Sequence, residues 1–290
     1  MSTEGKMPSI KKFLLNVRAL LPYFVVNYLR KADPVDSKIV FVLSFPRSGT
    51  HAIGSLLSND QAGFHYYGEF FIFNAWNKNI EKINRHYPFF SFRYSQNLKQ
   101  QRKKWSYNKF ETTSLDARKT LSAIKKIPGV HVIKIFPQHL PDKELEALIS
   151  EFKPHIIFLR RNHLDRFVSH KKANASGKWH TASTSDLVIN LDAGELNRFI
   201  SDFTDFYTRY VKFTKMQGCS VLDVPFEDLH SPDKVREIQS FAHFNGFSDW
   251  DKLTSAPTTV KQDRSNKVQD DFLVSMNKSY SDFVFPRVQA

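Results

Sequence analysis

Four short runs of the chain are apolar at nearly every position: "KIVFVLSF" (38–45), "VHVIKIF" (130–136), "HIIFLR" (155–160) and "CSVLDV" (219–224). A strand with one wet face alternates apolar and polar residues, whereas a strand covered on both faces has no reason to, so these runs read as buried parallel strands. Helical patterns separate them, as in "DKELEALISEF" (142–152). The clearest places Leu196, Phe199, Ile200, Phe203, Phe206, Tyr207 and Tyr210 at spacings of three and four, one stripe on a helix and therefore core. Strands alternating with helices predict an α/β fold: a three-layer sandwich with a central parallel sheet flanked by helices, and ligands at the carboxyl ends of the strands. Residues 70–115 interrupt the alternation with a dense mixture of aromatic and basic residues, which predicts an inserted helical cap over the site. From Ala256 to Ala290 the periodicity weakens, and "KQDRSNK" (261–267) concentrates positive charge in a loop.

The 290 residues suit one large domain preceded by a helical extension, 1–36. In that extension "FLLNVRALLPYFVVNYL" (13–29) is interrupted by Asn16, Arg18, Pro22 and Asn27. A spanning helix wants roughly 20 uninterrupted apolar residues, so no transmembrane segment is expected. The segment is read as a helix packed on the domain, with peripheral membrane contact through 9–31 as the alternative, since Lys11, Lys12, Arg30 and Lys31 surround it. No small-residue cleavage site follows, and Cys219, the only cysteine, permits no intrachain disulfide. Both fit a cytoplasmic protein. Cys219 itself reads as a buried strand residue. Lys and Arg exceed Asp and Glu by 13, a field that attracts nucleotides, nucleic acid or an acidic membrane surface.

Chemistry enters with "LSFPRSGTHAIGSLL" (43–57), a strand running through a Gly-containing turn into a helix. Backbone N–H groups of Ser48, Gly49 and Thr50 at a helix start suit an anion, and Arg47 adds a fork of donors that matches phosphate oxygens. A triphosphatase loop would open with Gly and end in Gly-Lys-Ser/Thr, and this one does neither. The second segment is "HIIFLRRNHLDRFVSHKKANASGKWH" (155–180), with Arg161 ending an apolar strand and Ser169 eight residues later on the next helix.

Together the two segments resemble the sulfotransferases that use 3'-phosphoadenosine 5'-phosphosulfate (PAPS) and release adenosine 3',5'-bisphosphate (PAP). The resemblance implies a P-loop-like fold in which the first loop holds the donor's 5'-phosphosulfate while Arg161 and Ser169 hold its 3'-phosphate. Arg47 stands where many members carry Lys. The second segment is similar in detail to bacterial carbohydrate sulfotransferases of the trehalose and nodulation-factor type, including Ser176, Gly177 and Trp179 in a small-Gly-x-Trp ending. "VPFEDLHSPDKVREIQSFAHFNG" (224–246) is similar to the family's strand, acidic turn and helix, with Phe226 where Tyr is common.

In-line sulfuryl transfer leaves the protein two tasks: to stabilise charge on the leaving phosphate and to take the acceptor's proton. Arg47 is the candidate for the first, with Lys134 as helper by family position. For the second, the Lys-Thr-His triplet of animal cytosolic members corresponds here to Lys134, Ile135 and Phe136, and phenylalanine accepts no proton. The resemblance to the bacterial enzymes points to Glu69 in "HYYGEFF" (65–71) as base, where aromatic surroundings predict a raised pKa. A carboxylate paired with a structural Arg or Lys is the alternative reading, and His139 and His65 are alternate bases. The resemblance also implies that Lys261, Arg264 and Lys267 cover the donor's adenosine end and that His51 lies near the adenine, although the Gly-rich form of that covering loop is missing.

The acceptor is expected to be a small molecule or sugar whose hydroxyl, or amine, is sulfated; Trp76, Tyr94 and Trp105 offer stacking surfaces. A kinase or NTPase is disfavoured by the absent Gly-Lys-Ser/Thr and by the lack of an acidic residue at the end of "HIIFLR". A nucleic-acid-binding module is the rival suggested by charge and by the aromatic-basic stretch. No metal-ligand spacing is apparent, and a homo-oligomer is compatible with the sequence.

Overall fold

The computed structural model describes residues 37–58, 63–71, 114–177, 187–242 and 266–284. The N-terminal extension, all but the ends of the cap, Trp179, and the loop residues Lys261 and Arg264 lie outside them. Every described residue belongs to one unit, 36–290.

The four apolar runs are strands: β1 (Ser37–Leu43), β3 (Gly129–Ile135), β4 (His155–Arg160) and β5 (Val221–Pro225). A three-residue strand, β2 (Phe64–Tyr66), adds an edge that the pattern did not predict. The order is β2-β3-β1-β4-β5 and every pairing is parallel. Strand β1 explains why such a sequence needs two covered faces. Ile39, Phe41 and Leu43 enter a cluster with Leu121 of α2 (Ser114–Ile124), Leu148 of α3 (Asp142–Phe152) and Phe203 of α5 (Ala193–Met216). Val40 and Val42 enter a second cluster with Ile53 of α1 (Thr50–Leu56) and Ile238 of α6 (Pro232–Phe241). Helices on both faces of a parallel sheet make the predicted three-layer sandwich. Fully burying one such Val or Leu side chain contributes about 2 kcal/mol, and β1 buries five.

The predicted helix at 142–152 and the aromatic stripe are both present. In α5, Leu196, Phe203, Tyr207 and Tyr210 are buried, while Phe199, Ile200 and Phe206 are partly so. Cys219 departs from expectation: it lies ahead of β5, half-buried, its amide donating to Thr214 O at 3.0 Å, and burial raises its thiol pKa. A third apolar cluster joins Leu164 and Phe167 of α4 (His163–Ser176) to Leu273 of α7 (Asn266–Met276) and to Phe283. Among the described residues no helix is long and apolar enough to cross a membrane.

From β1 the chain moves outward to β2, returns through β3, then crosses β1 to β4. That reversal of direction opens a crevice at the carboxyl ends of the strands, where α/β sheets bind ligands. The residues following β1, β2, β4 and β5, and the last turn of β3, all meet there.

Candidate active site

The loop after β1 is fastened to both neighbouring strands. Ser44 N donates to Ile135 O of β3 at 3.2 Å, and Ser44 Oγ donates to Leu159 O of β4 at 2.7 Å. The chain then turns through two left-handed residues, Arg47 at φ 70° and Gly49 at φ 85°. Arg47 carries the strain of a non-glycine residue there, about 1 kcal/mol or more. Gly49 has a second constraint: a Cβ would lie 1.9 Å from the Phe226 ring. Ser48 is fully buried, and among the described residues its hydroxyl has no hydrogen-bond partner. A buried, unsatisfied hydroxyl costs about 1–3 kcal/mol, an expense proteins tolerate where a ligand supplies the missing bond.

Side chains from β4 and α4 close one side of this loop. Alternation along β4 separates two adjacent arginines. Arg160 is held by Asp223 at 2.7 and 3.0 Å, and Tyr207 donates to the same carboxylate. Arg161 turns to the loop, where Nη1 donates to Arg47 O at 3.1 Å and the guanidinium lies 4.9 Å over the Phe226 ring. Asn162 caps α4 by accepting from Leu164 N and Asp165 N. This fixes the helix that carries Ser169, and Gly177, left-handed at φ 65°, ends it. Ser169 Oγ accepts from Arg47 Nε at 2.7 Å. Burial, and secondarily the nearby Arg161 charge, lowers the Arg47 pKa. Two guanidiniums and a hydroxyl thus converge from residues 47, 161 and 169, a donor set suited to a phosphate.

The other side of the loop holds an ion pair. Lys134, near the end of β3 and 4% exposed, donates to Glu69 Oε1 at 2.8 Å and to Thr50 Oγ1 at 3.4 Å. Its ammonium also lies 4.9 Å over the Phe136 ring. The parallel β2–β3 pairing, with Tyr66 beside Val132, brings the two partners together. His139 stands behind the pair, buried, with Nε2 3.6 Å from Glu69 Oε2. Its Nδ1 accepts from Phe136 N at 3.1 Å, so the neutral ring carries its proton on Nε2, which faces the carboxylate from just beyond hydrogen-bonding distance. Burial lowers the His139 pKa and favours that neutral form.

The raised Glu69 pKa predicted from aromatic neighbours is not found. Burial pushes it up, but His139 and Lys134 together outweigh that and hold the carboxyl at about 2. Phe70 and Phe71, which suggested an apolar pocket, are buried in the opposite cluster. His65 is likewise removed from the crevice, stacked on His131 with ring centroids 5.0 Å apart. His51 is exposed on the first turn of α1. Lys267 begins α7 rather than lying in a loop. Among the described residues, no cluster of His, Cys, Asp or Glu is arranged to hold a metal ion.

One interaction was not anticipated from the sequence. Arg166, fully buried, stacks on Phe199 at 3.9 Å, Phe203 at 4.6 Å and Phe45 at 4.9 Å. Burial lowers its pKa to about 9. The sequence signal was a cation three residues before Ser169 on a helix facing the aromatic stripe.

A strand, a left-handed turn and a short helix at the reversal point of a parallel sheet, facing an Arg and a Ser on the next strand-helix unit, define a P-loop-like α/β protein. The family model described as "Sulfotransferase domain" matches residues 37–283, and the chain belongs to that family. Sulfuryl transfer is the family's general chemistry. No curated protein matches the chain.

Proposed function

We propose that the protein transfers a sulfuryl group from PAPS to a hydroxyl, or an amine, of a small polar acceptor, a carbohydrate being the first choice. The observation that supports this best is the double attachment of Arg47. Its side chain reaches Ser169 while its carbonyl receives Arg161, so the loop and the Arg/Ser pair are tied together as one cluster of anion donors.

When bound, PAPS supplies the activated phosphosulfate. In this reading Arg161 and Ser169 hold the 3'-phosphate. Arg47, Ser48, Gly49, Thr50 and Lys134 neutralise the phosphosulfate end, with Ser48's unsatisfied hydroxyl as one donor. In this reading His51, Lys261 and Arg264 lie on the adenosine side. Glu69 takes the acceptor's proton. At pH 7 it is ionised, with a pKa of about 2, and weak as a base while Lys134 is paired with it. An anion drawing on Lys134's charge relaxes that pairing and raises Glu69's basicity at the moment a base is needed. His139, neutral and with Nε2 3.6 Å from the carboxylate, is not itself the base in this reading. The bacterial carbohydrate subtype is favoured by the position of Glu69 and by Ser176, Gly177 and Trp179. No nucleic-acid partner is invoked, and the cytoplasm suits the donor.

Isothermal titration with PAP tests the donor site. Micromolar binding by wild type that weakens about 30-fold or more in Arg161→Ala is expected, since charge-assisted bonds contribute about 1.5–3 kcal/mol each. No PAP binding by wild type refutes the reading. An acceptor screen follows, with Glu69→Gln as the inactive control.

A further inference from the structure

The residues that follow Arg161 are gripped by a segment from the far end of the chain. After α7 the chain makes a single 3-10 turn, Tyr280–Phe283. Phe283 is buried against Leu164 and Phe167 of α4. Tyr280 Oη donates to Asp165 Oδ2 at 2.6 Å, and Tyr280 O accepts from Asn162 Nδ2 at 3.2 Å. Asn162 is the neighbour of Arg161 and the cap of α4; its backbone N–H also donates to Glu227 Oε1 at 2.9 Å. Asp165, 6% exposed, is the acid one helical turn beyond Arg161, with Oδ2 3.9 Å from Arg161 Nη2.

The oxygen that faces Arg161 is therefore the one that accepts Tyr280's hydrogen bond. A carboxylate beside a phosphate-binding guanidinium competes with the phosphate, and the competition grows as the two approach. A phenol donor takes part of that oxygen's charge and holds it at 3.9 Å, outside direct hydrogen-bonding distance.

We propose that Tyr280 is a positioning residue for the donor's 3'-phosphate: through Asp165 it keeps Arg161 available, and so couples docking of the C-terminal turn to 3'-phosphate binding. This rests on the reading of Arg161 as the 3'-phosphate ligand. Coupling of this kind is reciprocal, so the 3'-phosphate also secures the turn.

The test compares PAP with adenosine 5'-monophosphate, which lacks the 3'-phosphate, by isothermal titration of the full chain. Tyr280→Phe removes only the hydroxyl. Its PAP affinity is expected to fall roughly tenfold, the scale of a hydrogen bond to a charged group, with monophosphate affinity unchanged. Hydrogen exchange at 279–284 is expected to slow in wild type with PAP but not with the monophosphate. A PAP preference equal to wild type's in Tyr280→Phe, or an equal loss for both ligands, overturns the coupling. If wild type itself does not prefer PAP, the donor reading fails and the coupling with it, a result distinct from failure of the coupling alone.

Discussion

Replacing Glu69 by Gln removes one charge and almost no volume, and the site geometry gives its consequences opposite signs for stability and for ligand binding. With its ordinary pKa of 4.5 lowered to about 2, the ionised carboxylate stabilises the native state by an amount near 3 kcal/mol before screening, at 1.36 kcal/mol per unit. The carboxylate is 29% exposed, so we take about half, roughly 1–2 kcal/mol. In a protein of this size that lowers Tm by about 3–6 °C. Because the folded pKa is depressed, this contribution is fully present above pH 4.5 and is lost as pH falls through 2. Scanning calorimetry of wild type and Glu69→Gln should therefore show a gap at pH 7 that narrows below pH 4.5. Ligand binding should move the other way. Lys134, nearly buried and relieved of its partner, becomes a stronger anion ligand, so PAP affinity is expected to hold or rise severalfold while sulfuryl transfer is lost. A Glu69→Gln variant as stable as wild type at pH 7 refutes the stabilising ion pair, and one that binds PAP tenfold more weakly refutes the assignment of Lys134 to the ligand.

Gly49→Ala combines a left-handed backbone with a Cβ 1.9 Å from Phe226. It is expected to cost about 2–4 kcal/mol in denaturant unfolding and to weaken PAP binding, because the displaced ring is the one Arg161 stacks on. Arg166→Met should leave stability within about 1 kcal/mol, since losing three ring contacts and the Nη2 bond to Phe199 O is offset by removing a buried guanidinium whose Nε and Nη1 make no hydrogen bond among the described residues. Arg166→Ala, which leaves a void, should cost about 3 kcal/mol by the same measurement.

The strands that carry the site were legible because each is buried on both faces, and a run such as "HIIFLR" has few other uses. Strand β2 was not. Three residues long, between Gly63 and Gly68, it is a strand only because β3 lies alongside, and no local pattern encodes that. The same tertiary fact hid the state of Glu69. Residue 69 follows β2 and residue 134 lies on β3, 65 positions apart, and only the order β2-β3-β1 turns them into an ion pair. Local composition suggested an aromatic pocket and a raised pKa; sheet order supplied an ammonium and an imidazole N–H and reversed the sign. Arg161 was legible against its neighbour Arg160 by its place at the strand's end, but Arg47's reach to Ser169 was not, because it depends on a left-handed residue that the sequence marks only by the glycine two places later.

These two ion clusters divide the work of one loop. On the β4 side, Arg47 and Arg161 repel one another, and the Arg47 pKa is lowered first by burial and then by that repulsion. On the β3 side, Lys134 is neutralised by Glu69. An anion binding at the first cluster relieves repulsion and should contribute mainly affinity. An anion reaching the second must compete with Glu69, and to the extent that it succeeds it frees the carboxylate proposed as the base. Affinity and reactivity are thus separable along the loop. Arg161→Ala should raise Kd for PAP with little effect on kcat at saturating donor. Lys134→Met should bind PAP within about tenfold of wild type yet lose kcat by a factor on the order of 100 or more, the scale of removing one transition-state charge contact. Equal losses of kcat and affinity in both variants would mean that the two clusters act as a single site.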